Sequence, residues 1–156
     1  MKRRGLPAAL LTLVLALVLG LVLAASAGAA PNPASDMTPA ALQARAEAGD
    51  ARAAYRLGLM ARNGKGMAAD PARAVTLLTA AAEGGLPAAM FLLANMLAAG
   101  EGAPRDEAAA RRWLETAAAL DYPEALQQLA LTEPDPRKAE LLMRQAAHAM
   151  THRARD

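Results

Sequence analysis

Asp50 to Gly85 reads DARAAYRLGLMARNGKGMAADPARAVTLLTAAAEGG, and Leu86 to Asp121, which follows without a gap, reads LPAAMFLLANMLAAGEGAPRDEAAARRWLETAAALD. Slid by 36 residues, the two segments share Ala53/Ala89, Leu57/Leu93, Met60/Met96, Gly64/Gly100, Gly66/Gly102, Asp70/Asp106, Ala74/Ala110 and Leu78/Leu114, together with the doublets Ala81-Ala82 and Ala117-Ala118. Alanines match by chance in a chain this rich in them. Paired glycines and aspartates at fixed offsets do not. A third unit begins at Tyr122 with Pro123, Ala125, Leu129 and Ala130 in register, loses seven residues, and resumes with Asp135, Ala139, Leu142, Ala146 and Ala147. A fixed period of this size is the sequence signature of a stacked helical array.

Each unit reads as two helices. The first runs from about Ala51 to Asn63 and stops at Gly64, a residue able to take the left-handed conformation that closes a helix. Asp70 caps the second, Pro71 opens it and Gly84-Gly85 ends it. Asp135-Pro136 repeats that start in the third unit, and Pro87 and Pro123 stand where first helices begin. Ala54, Leu57, Met60 and Ala61 share one face by 3.6 spacing, as do Ala74, Leu77, Leu78, Ala81 and Ala82 on the partner helix. No single unit can bury both faces, so neighbouring units must. Ahead of the first unit, Thr38-Pro39 opens a short helix that ends at Gly49 and corresponds to the second helix of an incomplete unit.

Working outward, alanine fills 36 of the 126 positions from Pro31 onward, and the aromatic residues are only Tyr55, Phe91, Trp113 and Tyr122. Small side chains at that density suit helices that approach closely and argue against a sheet. The net charge of the whole chain is +2; without Lys2, Arg3 and Arg4 it is −1, which is no basic footprint for nucleic acid. There is no cysteine, so disulfides, thiolate catalysis and zinc-thiolate sites are excluded. The only serines are Ser26 and Ser35 and the only histidines His148 and His152, which leaves no serine-histidine or cysteine-histidine pair in the body of the domain.

Residues 1–30 read as an export device. Lys2-Arg3-Arg4 precedes an apolar run from Ala8 to Ala25, broken only by Thr12 and Gly20, and then the small residues Ala25-Ser26-Ala27-Gly28-Ala29-Ala30. That is the order of a secretory signal peptide. The same run, at about 1.5 Å per residue, would also span roughly 27 Å, close to the bilayer core, so an uncleaved N-terminal anchor is the alternative. The expected location is a bacterial periplasm or the outside, or, with the anchor retained, the inner membrane facing the periplasm. Residues 31–37, starting Pro31-Asn32-Pro33, read as a linker, and residues 38–152 as the repeat domain, with a capping helix over 38–48 and units of about 50–85, 86–121 and 122–152.

At Leu57-Gly58, Gly64-x-Gly66, Asp70, Ala74, Ala81-Ala82-Glu83 and Gly85, repeated as Leu93, Gly100-x-Gly102, Asp106, Ala110, Trp113 and Ala117-Ala118, the sequence resembles the Sel-one-like repeat family. It departs from the family pattern at Ala94, in the register position of Gly58, at Ala61 and Leu97, where tyrosine is common, and in the shortened third unit. The resemblance implies an all-α fold, a short right-handed solenoid of antiparallel helix pairs related to the tetratricopeptide repeat. It also implies binding of a protein or peptide partner, with first helices lining a concave face. Carried over by position, that face presents Arg52, Tyr55, Leu59, Arg62 and Asn63, then Phe91 and Asn95, then Glu124 and Gln127. Arginine and tyrosine are frequent anchors of interfaces, which singles out Arg52, Tyr55 and Arg62. The structural alternative makes Tyr55 and Phe91 packing residues between units and the arginines a solvated face; Trp113 reads as core.

Other chemistries are weaker. His148 and His152, four apart with Met143 and Met150 nearby, have a metal-chelating spacing but no third ligand fixed by the fold. Gly64-Lys65-Gly66 could cradle a phosphate, yet its repeat as Gly100-Glu101-Gly102 puts an acid in the middle and argues for a turn. The expectation is a non-enzymatic envelope scaffold or adaptor, without catalytic residue, metal or cofactor. The competing readings are a carboxylate-dependent envelope hydrolase relying on Glu101, Asp106 or Glu124, and a membrane-tethered assembly factor with an uncleaved leader. A stack this short could also be completed by a second copy or by a partner's helix.

Overall fold

The computed structural model describes residues 37–153, and the leader and most of the linker read from the sequence lie outside the described residues. Seven helices follow one another: α1 Pro39–Glu47, α2 Ala51–Asn63, α3 Pro71–Glu83, α4 Pro87–Ala99, α5 Glu107–Ala119, α6 Pro123–Thr132 and α7 Pro136–Arg153. Among the described residues there is no strand. Each helix packs on the next in the chain, most extensively within the hairpins α2/α3, α4/α5 and α6/α7. Among the described residues no helix is long and apolar enough to cross a membrane.

The period of the sequence is also a period of hydrogen bonds. The first amides of a helix have no intrahelical acceptor, so a cap must satisfy them. Asp50 does so for α2, accepting from the amides of Arg52 at 2.9 Å and Ala53 at 3.1 Å. Asp70 accepts from Arg73 N–H at 2.9 Å to start α3, and Asp106 accepts from Ala109 N–H at 2.8 Å to start α5. Gly64 and Gly100, at φ of +68° and +70°, end α2 and α4 in the left-handed conformation. The loop then folds back on its own helix: Asp70 N–H donates to Ala61 O at 2.7 Å and Asp106 N–H to Leu97 O at 3.0 Å. Between units the turn recurs three times, as Asp50 N–H to Arg45 O at 3.0 Å, Leu86 N–H to Ala81 O at 3.1 Å and Tyr122 N–H to Ala117 O at 3.1 Å. Asp121 stands there at φ +54° in the register position of Gly85.

Alanine makes the close packing possible. Ala61, Ala74, Ala81, Ala89, Ala94, Ala117 and Ala125 are fully buried around Leu78, Leu93 and Met96, while Leu42, Ala53 and Leu57 close the N-terminal end. Where α2 crosses α3 even a methyl would be tight, since a Cβ on Gly58 would lie 3.0 Å from Leu78 Cγ. Burying one leucine side chain is worth about 2 kcal/mol, so the stack is held by many small contacts around a few large ones.

The third unit differs. α6 has 10 residues where α2 and α4 have 13, and the connection to α7 is correspondingly short. The missing loop matters because its two predecessors interlock with earlier units. A Cβ on Gly66 would meet Met60 Cε at 3.1 Å with Pro39 of α1 behind it, and a Cβ on Gly102 would overlap the backbone carbonyl of Pro71 at the head of α3.

Candidate protein-binding face

The residues predicted from the sequence lie on the first helices α2, α4 and α6 and fall into three chemically different groups. Tyr55 and Phe91 are half-buried and pack against the main core cluster, as Trp113 does from α5. Phe91 continues into Tyr122, which precedes α6, with ring centroids 5.7 Å apart and planes tilted by 50°. The guanidinium of Arg153 lies 5.7 Å from the centre of the Tyr122 ring, a cation over an aromatic face. Burial raises the pKa of the Tyr122 hydroxyl, with further upward contributions from Glu124 and from Tyr55. Tyr55, near enough to act on the Tyr122 hydroxyl and packed on the same core cluster as Phe91, makes this a row with one aromatic residue from each unit, in which Phe91 and Tyr122 are the pair in ring contact.

The second group is already engaged. Arg62 places Nε and Nη2 each 2.8 Å from the two carboxylate oxygens of Glu101, a two-pronged bridge from the end of α2 to the loop of the next unit. The bond raises the Arg62 pKa and holds the Glu101 carboxyl below its usual 4.5. Glu124 accepts from Arg153 at 2.6 Å, and that bond lowers its pKa in the same way. Asn95 accepts from Gln128 Nε2 at 3.0 Å, tying α4 to α6, and Gln127 Nε2 sits 4.0 Å from Met150 Sδ.

The third group is open. Arg52 and Asn63 are exposed, and Arg52 has no ion-pair partner among the described residues. Leu59 is half-buried beside Met37, Arg56, Met60 and Asn63, in a shallow apolar pocket of about 260 Å³. Of the residues singled out from the sequence as anchors, Arg52 faces solvent, Tyr55 anchors the aromatic row and Arg62 is occupied by Glu101.

Reading by offset missed Tyr122, Arg153 and Gln128. Tyr122 lies between helices, and its only signal is its place just before Pro123, opposite Leu86 in the repeat. The three carboxylates weighed as hydrolytic residues are each engaged structurally, since Glu101 holds Arg62, Asp106 caps α5 and Glu124 holds Arg153. His148 and His152 are exposed on α7 with ring centroids 4.5 Å apart, and among the described residues no set of three His, Cys, Asp or Glu converges for a metal.

The family model for the Sel1 repeat matches residues 51–86, 87–122 and 125–149. The crystal structure of a Sel1 repeat protein from Oxalobacter formigenes is similar at 33% identity and a TM-score of 0.63, covering 69% of this chain and 86% of that one. The crystal structure of c5321, a protective antigen of uropathogenic Escherichia coli with an SLR fold, is similar at 30% identity and a TM-score of 0.67. There the match covers 71% of this chain but 25% of the antigen. Helicobacter pylori cysteine rich protein B shares the fold alone, at 23% identity and a TM-score of 0.54 over 56% of this chain and 65% of that one. No curated protein matches the chain.

Proposed function

Because the chain belongs to the Sel1 repeat family, whose repeats mediate protein–protein interactions, we propose that it is an exported, non-enzymatic scaffold holding a segment of a partner protein. The segment lies along the concave side formed by α2, α4 and α6. The observation that carries this reading is the half-buried aromatic row Tyr55, Phe91, Tyr122 beside the exposed Arg52 and Asn63. Such a row gives a bound chain apolar surface at low entropic cost, while the open arginine and amide supply polar contacts at its edge. The bridges Arg62–Glu101 and Arg153–Glu124 stiffen the same side, so little ordering is left to be done on binding.

The leader makes the compartment the periplasm or the exterior. Measuring the mass of the mature N-terminus in fractionated cells separates a cleaved leader from a retained inner-membrane anchor. The binding reading is tested by crosslinking in intact cells with identification of the partner by mass spectrometry. Arg52→Glu and Tyr55→Ala should each abolish the crosslink while leaving helicity unchanged. Undiminished crosslinking by both variants removes the assignment of this face.

A further inference from the structure

Among the described residues the last helix, α7, leaves an apolar edge uncovered. Inside the chain a first helix docks twice on the unit before it: α4 packs on α3, and α6 packs on α5 with Gln128 donating to Asn95 of α4 at 3.0 Å. The receiving positions are covered. Leu78 and Leu114 are 0% and 8% exposed and share one cluster with Met90, Leu93 and Leu129 of the following helices. Their counterpart in the last unit is Met143, 47% exposed, and the counterpart of Asn95 is Leu131, 82% exposed. Ala147, which follows Ala82 and Ala118 in register, is exposed too, and Met150 extends the strip along α7. A repeat without a neighbour ordinarily presents a polar outer face; the last described one continues the pattern of a unit that expects a neighbour.

The chain itself states what that neighbour must look like. Pro87-x-Ala89-Met90-x-x-Leu93-Ala94 of α4 and Pro123-x-Ala125-Leu126-x-x-Leu129-Ala130 of α6 are the same pattern, and Ala89, Met90, Leu93, Ala94, Ala125, Leu126, Leu129 and Ala130 are all buried. A helix continuing the array runs antiparallel to α7, so its first turn falls beside the last turn of α7, whose basic residues are His152 and Arg153. α6 already meets that turn with an acid, Glu124 to Arg153 at 2.6 Å. Acids in a first turn also suit the positive end of the helix dipole.

The geometry points to the α6/α7 edge as a docking site for one amphipathic helix of a partner protein, acidic in its first turn and carrying Pro-x-Ala-(Met or Leu)-x-x-Leu-Ala on one face. A second copy of the chain offers no such helix, because in its folded form the matching faces of α4 and α6 are consumed by its own stack. The site lies at the end of the array and meets the aromatic row only at its last member, where Arg153 covers the Tyr122 ring; Arg52 and Tyr55 belong to the first unit, two units away.

The probe is a synthetic peptide with the sequence of residues 121–132, end-blocked and made helical by a lactam joining the positions of Gln127 and Leu131. It is titrated into the full chain labelled with ¹³C in its methionine methyl groups, Met143 and Met150 being assigned by Met→Leu variants. The expected result is a saturable shift of Met143 and Met150 with Met90 and Met96 unmoved. Leu131→Asp should weaken binding at least tenfold, and a peptide with serine at the positions of Leu126 and Leu129 should give no shift. Arg52→Glu and Tyr55→Ala should leave the titration unchanged, so failure of this proposal and of the scaffold reading are distinguishable. Absence of any shift, shifts that survive Leu131→Asp, or concentration-dependent self-association that covers the same methyls without peptide would overturn it.

Discussion

Replacing Gly102 by alanine asks whether the loops, and not the helix faces alone, hold neighbouring units together. Gly102 stands at φ +77°, a region that costs an L-residue about 1–2 kcal/mol. The added methyl would also overlap the carbonyl carbon and oxygen of Pro71. Those atoms belong to the first turn of α3 and cannot swing aside as a side chain would, so the loop must lift from the preceding unit, at about 1–3 kcal/mol for overpacking. Gly85→Ala is the control, because Gly85 has φ +82° but a Cβ there meets nothing within 4 Å. The expected destabilisation is about 1–2 kcal/mol for Gly85→Ala and about 2–5 kcal/mol for Gly102→Ala. At roughly 4 °C per kcal/mol for a domain of this size, the thermal midpoints should fall by about 4–8 °C and about 8–20 °C. Urea and thermal unfolding followed by circular dichroism at the helix band measure both. Equal losses for the two variants would refute the interlock, leaving backbone strain as the whole effect.

Glu101→Gln should remove an acid-sensitive part of the stability. Arg62 holds the Glu101 carboxyl below its usual 4.5, so the folded state gives up that proton more readily than the unfolded chain does. The stabilisation is therefore present above pH 4.5 and fades as the pH falls through the lowered value. The gap between the parent protein and Glu101→Gln, about 0.5–1 kcal/mol near neutrality for a partly exposed pair, should close on acidification in a series of urea curves. A gap independent of pH would mean that the carboxylate charge contributes nothing. Asp106→Ala removes the acceptor of the Ala109 amide at the head of α5 and should cost about 1 kcal/mol, whereas Asp106→Asn should recover most of it. The same unfolding curves decide it, and equal losses for Ala and Asn would show that the side-chain acceptor is not what starts the helix.

Helix limits were legible wherever a side chain or a glycine marks them locally. Asp50 and Gly64 bracket α2, and Asp70 with Pro71 opens α3, because caps act on the residues next to them. The end of α6 carries no such mark. Leu131 and Thr132 are followed by neither a glycine nor a capping side chain, and the seven-residue deletion does not say how it divides between helix and loop. The Arg62–Glu101 bridge joins residues 39 apart, and the register partner of Glu101 is Lys65, so the repeat itself assigns no fixed charge to the residue between the two glycines. Only the superposition of a loop on the preceding unit gives that acid its cation. Tyr122 escaped for a related reason: a residue between helices gains its role from the packing of two units.

The interlocking loops also bear on how the array comes apart. Gly66 and Gly102 each reach back one unit, to Pro39 and to Pro71, so the stabilising contacts of this chain are nearly all between neighbours along the sequence. Low sequence separation favours rapid closure, and a linear chain of neighbour contacts opens from its weakest end. That end is the C-terminal one, where no loop reaches back to α5 and α7 is largely exposed. Among the seven described helices, amide hydrogen exchange should be fastest in α6 and α7 and slowest in α3 and α4, which makes the edge left open for a partner also the part of the stack that breathes most.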